Sequence, residues 1–301
     1  MNPADPTPFS VVAPASVANL GPGFDCLAAA VGIHLRVDVQ PGGDDVIVEG
    51  KGGFPRGRDN MIVQAAATLD RDLQPMRLSV TSEIPEGRGL GSSAAAVAAG
   101  LLIGSRGREL PLDHLVAAGS AIEGHGDNVA AALAGGIVVA GGNAPWRFDP
   151  RPSIQPVFLV PSTFLPTPRA REVLPERVPL RDAVRNIRGA SLLMALLSGS
   201  CQPDPGLLLE ATDDVLHQPY RAPLAPETAG LVARLRSGGV AAAVSGSGPS
   251  VVALVVEGTR GALEELTEGL DDGWRLLEPG WETLGARFIP YPDDAGGPAR
   301  R

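Results

Sequence analysis

Hydrophobic and polar residues alternate along several short stretches of the chain, most clearly at residues 33–39 and 76–80. An apolar residue at every second position is typical of a β-strand that has one face in the core. Short apolar or β-branched runs elsewhere are typical of strands that are buried on both faces. The pattern predicts strands at residues 33–39, 76–80, 137–139, 157–160, 240–244 and 251–256.

Longer stretches rich in good helix formers separate these strands. They predict helices at residues 94–103, 110–122 and 129–133, and within residues 180–198, 204–217 and 226–237. Strands followed by helices therefore occur twice, which predicts an α+β fold of two layers rather than an alternating parallel sheet. A loop rich in proline, glycine and asparagine at residues 141–152 predicts a boundary between domains of residues 1–150 and 151–301.

Composition and charge exclude several classes of function. The chain has 301 residues, 44% of them apolar, and a net charge of −9, which disfavours nucleic acid as a partner. The longest smooth apolar stretch, residues 94–103, is too short to span a bilayer, and the N-terminus carries no secretion signal. We therefore expect a cytoplasmic protein without a membrane partner. Lys51 is the only lysine, so a phosphate clamp would use arginine, backbone amides or a metal ion.

A glycine-rich segment carries the strongest chemical information. It lies between a predicted strand and a predicted helix and reads Pro85, Glu86, Gly87, Arg88, Gly89, Leu90, Gly91, Ser92, Ser93. Glycines let the backbone approach a ligand, and the N-terminus of the following helix attracts anions. The two serines are suited to donate to phosphate or to ligate Mg²⁺. The alternative is an ordinary glycine-rich turn that is capped by serine; a Walker A ending is absent.

Two further segments are rich in glycine and polar residues. Residues 14–25 read PASVANLGPGFD and predict a turn between two strands, with Asn19 and Asp25 as candidate polar contacts. On physical grounds alone, hydrogen bonds from both side chains to the backbone are the favoured alternative. Residues 245–250 read SGSGPS between two predicted strands, and a plain glycine-rich hairpin is the competing interpretation.

The string P-x-x-x-G-L-G-S-S-A-A resembles the central motif of the GHMP kinases, and the segments at 14–25 and 245–250 resemble that family's N-terminal and C-terminal motifs. The ordered matches cover essentially the whole chain. The resemblance implies a two-layer GHMP kinase fold, with an N-terminal nucleotide-binding domain and a C-terminal α/β sandwich domain. It also implies ATP and Mg²⁺ at residues 85–93, with Asn60 near the adenine.

Three more segments resemble the homoserine kinase group within that family. They are E-G-H-G-D-N-V-A at residues 123–130, T-P-R-A-R-E-V-L-P at 167–175 and H-Q-P-Y-R at 217–221. The resemblance implies a homoserine site built from Asn19, Asp25, His125, Asn128, Thr167, Arg171 and Arg221. In it, Asp25 would pair with the substrate ammonium, Arg221 with its carboxylate and Arg171 with the transferring phosphate.

The same resemblance bears on mechanism. Related kinases carry an aspartate base where this chain has Asn128, and an amide is no useful base at neutral pH. We therefore expect the hydroxyl to attack directly, with Asn128 and Arg171 as the catalytic residues, since phosphoryl transfer depends mainly on positioning and charge neutralisation.

One departure from the family pattern concerns the metal. The family's A-E-x-E-G-H places a metal-binding glutamate where this chain has Ala121, so we expect Ser93 and Glu123 to hold Mg²⁺, or water and ATP to complete its coordination. Two alternatives to a homoserine kinase stay open: another GHMP small-molecule kinase, or a nucleotide-binding paralogue without catalysis. The resemblance also implies a homodimer.

Overall fold

The computed structural model describes residues 7–51, 54–141 and 144–292. Within those residues the strands are β1 (Phe9–Asn19), β2 (Gly23–Pro41), β3 (Val46–Gly50), β4 (Met76–Ser82), β5 (Ile137–Val139), β6 (Trp146–Phe148), β7 (Gln155–Pro161), β8 (Ala241–Val244), β9 (Val251–Val255), β10 (Trp274–Leu277) and β11 (Arg287–Ile289). The helices are α1 (Met61–Leu69), α2 (Ser92–Ser105), α3 (Leu112–Glu123), α4 (Asp127–Ala134), α5 (Thr167–Glu172), α6 (Leu180–Leu197), α7 (Pro205–Ala211), α8 (Gln218–Arg221), α9 (Pro226–Ser237) and α10 (Arg260–Thr267).

The strands form a seven-stranded sheet and a four-stranded sheet within the described part of the chain. In the larger sheet the order is β11-β1-β2-β4-β3, and β5 pairs with β2 and with β6. The pairing of β3 with β4 is parallel. The 19-residue β2 is long enough to pair with β4 through residues 35–41 and with β5 through residues 27–29. The smaller sheet has the order β10-β7-β9-β8.

Helices cover both sheets and complete the cores. α2 and α4 pack against β1 and β2, whereas α9 packs against β8 and β9. α2 is buried along most of its length because its residues are small and apolar. A Cβ atom on Gly100 would lie 2.2 Å from the carbonyl oxygen of Ile62, and one on Gly104 would lie 2.2 Å from that of Ala66. These glycines therefore allow α2 to lie tightly against α1, which fixes the position of its N-terminus.

The α+β fold predicted from the sequence is confirmed, and most predicted strands and helices form near their expected positions. The stretch at 204–217 is helical only over α7, because Asp214 accepts hydrogen bonds from the backbone N–H groups of residues 216–218 and turns the chain. Among the described residues, no helix has both the length and the apolarity that a membrane span requires.

The last strand returns to the first sheet. β11 pairs antiparallel with β1, and Glu282 donates its backbone N–H to the carbonyl of Ala30 in β2. Residues 280–289 therefore lie on the N-terminal sheet although they follow the whole C-terminal half. A division into residues 1–150 and 151–301 stays a prediction about domains, and this returning segment crosses it.

Candidate active site

A cleft of about 910 Å³ lies where the N-terminus of α2 meets the β1–β2 turn, the start of α4 and helix α5. Most of the side chains predicted for the site line it, although they come from distant parts of the sequence. They are Asn19, Asp25, Asn60, Glu86, Gly87, Gly89, Leu90, Gly91, Ser92, Ser93, Glu123, His125, Asn128, Thr167, Arg171 and Arg221. The cleft therefore places the predicted nucleotide and acceptor residues in one continuous space.

Two residues of the predicted phosphate segment lie outside this cleft. Pro85 and Arg88 line a separate depression next to Trp274. The guanidinium of Arg88 donates to the carbonyl oxygens of Pro161 (3.2 Å) and Ser162 (2.6 Å). Its side chain holds the end of β7 against the glycine-rich segment, which corrects the expectation that it faces a nucleotide.

The glycine-rich segment adopts a backbone that only glycine accommodates easily. Gly87, Gly89 and Gly91 have φ values of +65°, +74° and +66°, all in the left-handed region. A Cβ atom on Gly89 would lie 2.1 Å from the carbonyl oxygen of Ser245, and one on Gly91 would lie 2.1 Å from the Oγ of Ser16. Both the turn and its neighbours therefore exclude side chains here.

The helix that leaves this segment begins without a side-chain cap. Gly91 is the N-cap residue of α2, and no side-chain cap hydrogen bond forms at this end of the helix in the described structure. The serine-capped turn considered from the sequence is therefore not what forms. Because the first N–H groups of a helix have no partner within the helix, they are available to an anion in the cleft.

The three glycine-containing motifs contact one another. Gly246 donates its N–H to the carbonyl of Ala18, and Asn19 donates its side-chain amide back to the carbonyl of Gly246 (2.8 Å). The Oγ of Ser245 donates to the carbonyl of Gly89 (2.7 Å). The segment at 245–250 therefore supports the other two motifs, and Gly246 and Ser247 also line the cleft.

A serine and a glutamate meet where a metal ion is expected. The Oγ of Ser93 donates to Glu123 at 2.8 Å, and both residues line the cleft. Hydroxyl and carboxylate oxygens are hard donors of the kind that Mg²⁺ takes. No group of three or more histidine, cysteine or acidic residues suited to a metal occurs among the described residues. The chemistry of this pair therefore fits Mg²⁺, for which it would supply two protein ligands.

Ala121 lies away from this pair. It is exposed and does not line the cleft, whereas Glu123, two residues later, does. Successive helix residues are about 100° apart, so two residues of one helix separated by two positions face nearly opposite directions. In this fold the side of α3 that faces Ser93 therefore carries Glu123 rather than Ala121; that Ser93 and Glu123 hold the metal stays a prediction.

Asp25 and Arg171 form a two-pronged ion pair at the acceptor end. The guanidinium donates to the two carboxylate oxygens at 2.7 and 2.9 Å, and this contact raises the pKa of Arg171. The backbone N–H of Asp25 donates to the Oδ1 of Asn19. Asn19 and Asp25 have φ values of +68° and +52°. Asn19 therefore uses its amide to hold the turn that presents Asp25, as the backbone-bonding alternative proposed.

Arg221 is a buried cation beside this pair. It is 4% exposed, and its Nε donates to the carbonyl of Ala170 at 3.0 Å. Its Nη1 lies 3.2 Å from the Nδ1 of His217. Burial lowers the pKa of Arg221 to about 10, with the charge on Arg171 acting in the same direction. Arg221 therefore remains positive at neutral pH. Phe24 lies beneath both guanidinium groups, 5.3 Å from that of Arg221 and 5.8 Å from that of Arg171.

The start of α4 presents two polar side chains. The Nδ1 of His125 lies 3.0 Å from Asp127, and this hydrogen bond raises the pKa of His125. The Oδ1 of Asn128 accepts a hydrogen bond from the Oγ of Ser16 at 2.8 Å. Thr167 and Ser247 also line the cleft, and their hydroxyls are joined by a hydrogen bond of 3.2 Å.

Asn60 has a structural contact as well as its place on the cleft wall. It is the N-cap of α1: its Oδ1 accepts from the N–H of Ile62, and its Nδ2 donates to the carbonyl of Pro55. The neighbouring wall is apolar, with Leu35, Phe54, Met61 and Val80. An aromatic base would meet mainly this apolar surface at this end of the cleft.

Four residues of the site were not singled out from the sequence: Ser16, Phe24, Asp127 and Ser247. All four lie inside the motifs at residues 14–25, 123–130 and 245–250, and each contacts another residue of the site. The contacts of Ser16, Phe24 and Ser247 join positions far apart in the chain, so no local spacing signals them, whereas Asp127 contacts His125 only two residues away.

Family models match both halves of the chain. The model described as GHMP kinases N terminal domain matches residues 60–136, which include the glycine-rich segment and α4. The model described as GHMP kinases C terminal matches residues 180–275.

Curated relatives match almost the full length. The homoserine kinase of Streptomyces coelicolor is 40% identical, over 92% of this chain and 93% of the relative. The homoserine kinase of Cutibacterium acnes is 41% identical, over 85% of this chain and 90% of the relative. The crystal structure of homoserine kinase from Cytophaga hutchinsonii has the same fold, with a TM-score of 0.81 and 24% identity over 94% of this chain and 97% of that one.

Proposed function

The chain belongs to the homoserine kinases of the GHMP kinase family, and on that premise we propose that it transfers the γ-phosphate of ATP to the hydroxyl of homoserine. The product would be O-phosphohomoserine, a step toward threonine. Relatives that are about 40% identical over nearly the full length support this assignment.

The observation that carries the proposal is the arrangement of charges beside the phosphate segment. Asp25, Arg171 and Arg221 line the same cleft as the N-terminus of α2. One anion and two cations suit a zwitterionic substrate. The substrate ammonium would bind Asp25 and the substrate carboxylate would bind Arg221. Arg171 would then bind the phosphate that is transferred from ATP. In the free protein Asp25 and Arg171 neutralise each other, so the substrate would join an existing ion pair.

The mechanism we propose needs no strong base. Asn128 lines the acceptor end, and an amide does not remove a proton at neutral pH. Phosphoryl transfer has a loose transition state, so aligning the hydroxyl and neutralising the phosphate charge provide most of the acceleration. In this account Asn128 orients the reacting groups, Arg171 stabilises the charge on the transferring phosphate, and the N–H groups at the start of α2 hold the rest of the triphosphate.

Ser93 and Glu123 would hold a Mg²⁺ ion that accompanies ATP. When bound, the metal neutralises phosphate charge. The chain itself supplies a hydroxyl and a carboxylate already in contact, which leaves the other coordination positions to nucleotide and water.

ATP consumption measured with and without homoserine separates this proposal from its alternatives. A homoserine kinase consumes ATP only when homoserine is present and forms one phosphorylated product per ATP. A different GHMP kinase would be silent with homoserine but active with another alcohol. A paralogue without catalysis would bind an ATP analogue and turn over neither. Either of the last two results contradicts the proposal.

A further inference from the structure

Ser16 connects the phosphate segment to the acceptor end of the cleft. It lies in β1 with no exposed surface. Its backbone N–H donates to the carbonyl of Leu90 at 3.1 Å, and its Oγ donates to the Oδ1 of Asn128 at 2.8 Å. The same Oγ occupies the space that a side chain at Gly91 would need. Ser16, a small buried residue of β1, therefore contacts both the phosphate segment and the first turn of α4.

The side-chain bond decides which end of the Asn128 amide a ligand can meet. An asparagine amide has one acceptor oxygen and one NH₂ donor. With its oxygen bonded to Ser16, the amide keeps its Nδ2 group for the cleft that Asn128 lines. The other orientation would present an oxygen to phosphate oxygens, which repel it, and would leave the Ser16 hydroxyl without its acceptor in a buried place.

From this geometry we infer that Ser16 is a positioning residue, which holds Asn128 as a hydrogen-bond donor toward the reacting oxygens. The inference rests on the proposed phosphotransfer to homoserine. It assigns Asn128 the role of stabilising negative charge by donation, rather than accepting the proton of the attacking hydroxyl. Ser16 itself touches no substrate; it acts through Asn128.

The Ser16→Ala variant keeps the backbone bond to Leu90 and removes only the hydroxyl. We expect kcat to fall about three- to tenfold, the size of one neutral hydrogen bond, with the affinity for an ATP analogue unchanged. Ser16→Cys keeps the shape of the side chain with a weaker donor, so its kcat should lie between those of wild type and Ser16→Ala. It replaces the alanine variant as the test if Ser16→Ala does not fold. Ser105→Ala is the matched control: it also removes a buried hydroxyl that donates to a carbonyl, at the far end of α2, and should leave kcat unchanged.

A double-mutant cycle distinguishes positioning from a structural role. If Ser16 acts only through Asn128, the Ser16→Ala/Asn128→Ala protein will be no slower than Asn128→Ala alone. Rate losses that multiply would overturn the inference, as would an unchanged kcat in Ser16→Ala.

Asn128→Asp tests the direction of the hydrogen bond. It replaces the cleft-facing NH₂ by an anionic oxygen, so we expect a large loss of kcat at every pH. A rate above wild type that rises with pH would show that an acceptor is wanted there and would overturn the inference.

A readout that needs no turnover keeps this inference separate from the proposed function. The side-chain NH₂ signal of Asn128, identified by its absence in Asn128→Asp, should shift in ¹⁵N spectra when an ATP analogue and homoserine are added to wild type. It should shift less in Ser16→Ala. Equal shifts in the two proteins contradict the positioning role even if wild type phosphorylates homoserine; a wild type that binds both ligands without transferring phosphate contradicts the function instead.

Discussion

Gly91 occupies a position that accepts no side chain. Its φ of +66° strains any other residue, and a Cβ atom would overlap the Oγ of Ser16 at 2.1 Å. We expect Gly91→Val to abolish binding of an ATP analogue, measured by calorimetry, in a protein that still gives the wild-type circular dichroism spectrum. Gly269→Val is the control, because Gly269 has a φ of +77° but open space around it and lies outside the cleft. Full nucleotide affinity in Gly91→Val would contradict the phosphate-site assignment.

Asp25 is the residue that should select a zwitterionic acceptor. Asp25→Ala leaves both the substrate ammonium and Arg171 without their anion, which costs roughly 2–5 kcal/mol in kcat/KM for homoserine. The affinity for an ATP analogue should not change. Glu278→Ala removes a similar two-pronged pair with Arg260 outside the cleft and should leave both quantities as in wild type. A normal kcat/KM for homoserine in Asp25→Ala would show that Asp25 does not bind the acceptor.

Most of the residues predicted from the sequence line one cleft, but their contact partners were not predictable. The glycine-rich motif at 85–93 predicted a turn that approaches a ligand, and its three glycines have positive φ, which is a local requirement of the backbone. The contact of Arg88 with β7 and the pairing of Asp25 with Arg171 depend on residues that are 73 and 146 positions apart. Such long-range pairings carry no signal in local spacing, so the sequence suggested the candidates and the fold assigned their contacts.

At the scale of one element, the orientation of α3 decides which of its residues faces Ser93, where we propose the metal to bind. Glu123 contacts Ser93, while Ala121 is exposed outside the cleft. We expect Glu123→Gln to raise the Mg²⁺ concentration for half-maximal rate, because a neutral amide holds a hard cation less well than a carboxylate does. Ala121→Glu adds a carboxylate on the wrong side of the helix and should leave the Mg²⁺ dependence unchanged. A lower Mg²⁺ requirement in Ala121→Glu would contradict this prediction, because it would show that a carboxylate at residue 121 can bind the metal.

Element predictions succeeded where the pattern was long and were less precise where a side-chain contact or a distant strand set the ends. The good helix formers at residues 94–103 predicted a helix, and α2 extends two residues beyond that stretch at each end. The helix predicted within 204–217 stops at Ala211, because the carboxylate of Asp214 bonds the following backbone. The three-residue β11 pairs with the edge of β1, and such pairing with a distant strand cannot be predicted from the local sequence pattern.

For the whole molecule, His217 links stability to pH. It has no exposed surface and lies next to the positive Arg221, and burial lowers its pKa. A His whose folded-state pKa lies below the unfolded value stabilises fully above about pH 6.5, and this contribution is lost as the pH falls below that value. We expect the free energy of unfolding to fall less between pH 7 and pH 5 in His217→Gln than in wild type. The exposed His114→Gln should keep the wild-type slope; equal slopes in all three proteins would contradict a neutral buried His217.

The homodimer implied by the family resemblance stays a prediction for the whole molecule. Light scattering coupled to size-exclusion chromatography tests it: a mass twice that of the 30.9 kDa chain supports a dimer, and a mass of one chain contradicts it.

We propose that the cleft recognises both charges of homoserine while ATP donates phosphate beside them. The most direct test compares kcat/KM for homoserine with that for 4-hydroxybutyrate, which lacks the ammonium, and for 3-aminopropanol, which lacks the carboxylate. We expect homoserine to be preferred by about 30-fold or more over each, the factor that corresponds to roughly 2 kcal/mol for one unpaired charge in the site. No phosphotransfer to homoserine, or equal transfer to either analogue, would contradict the account.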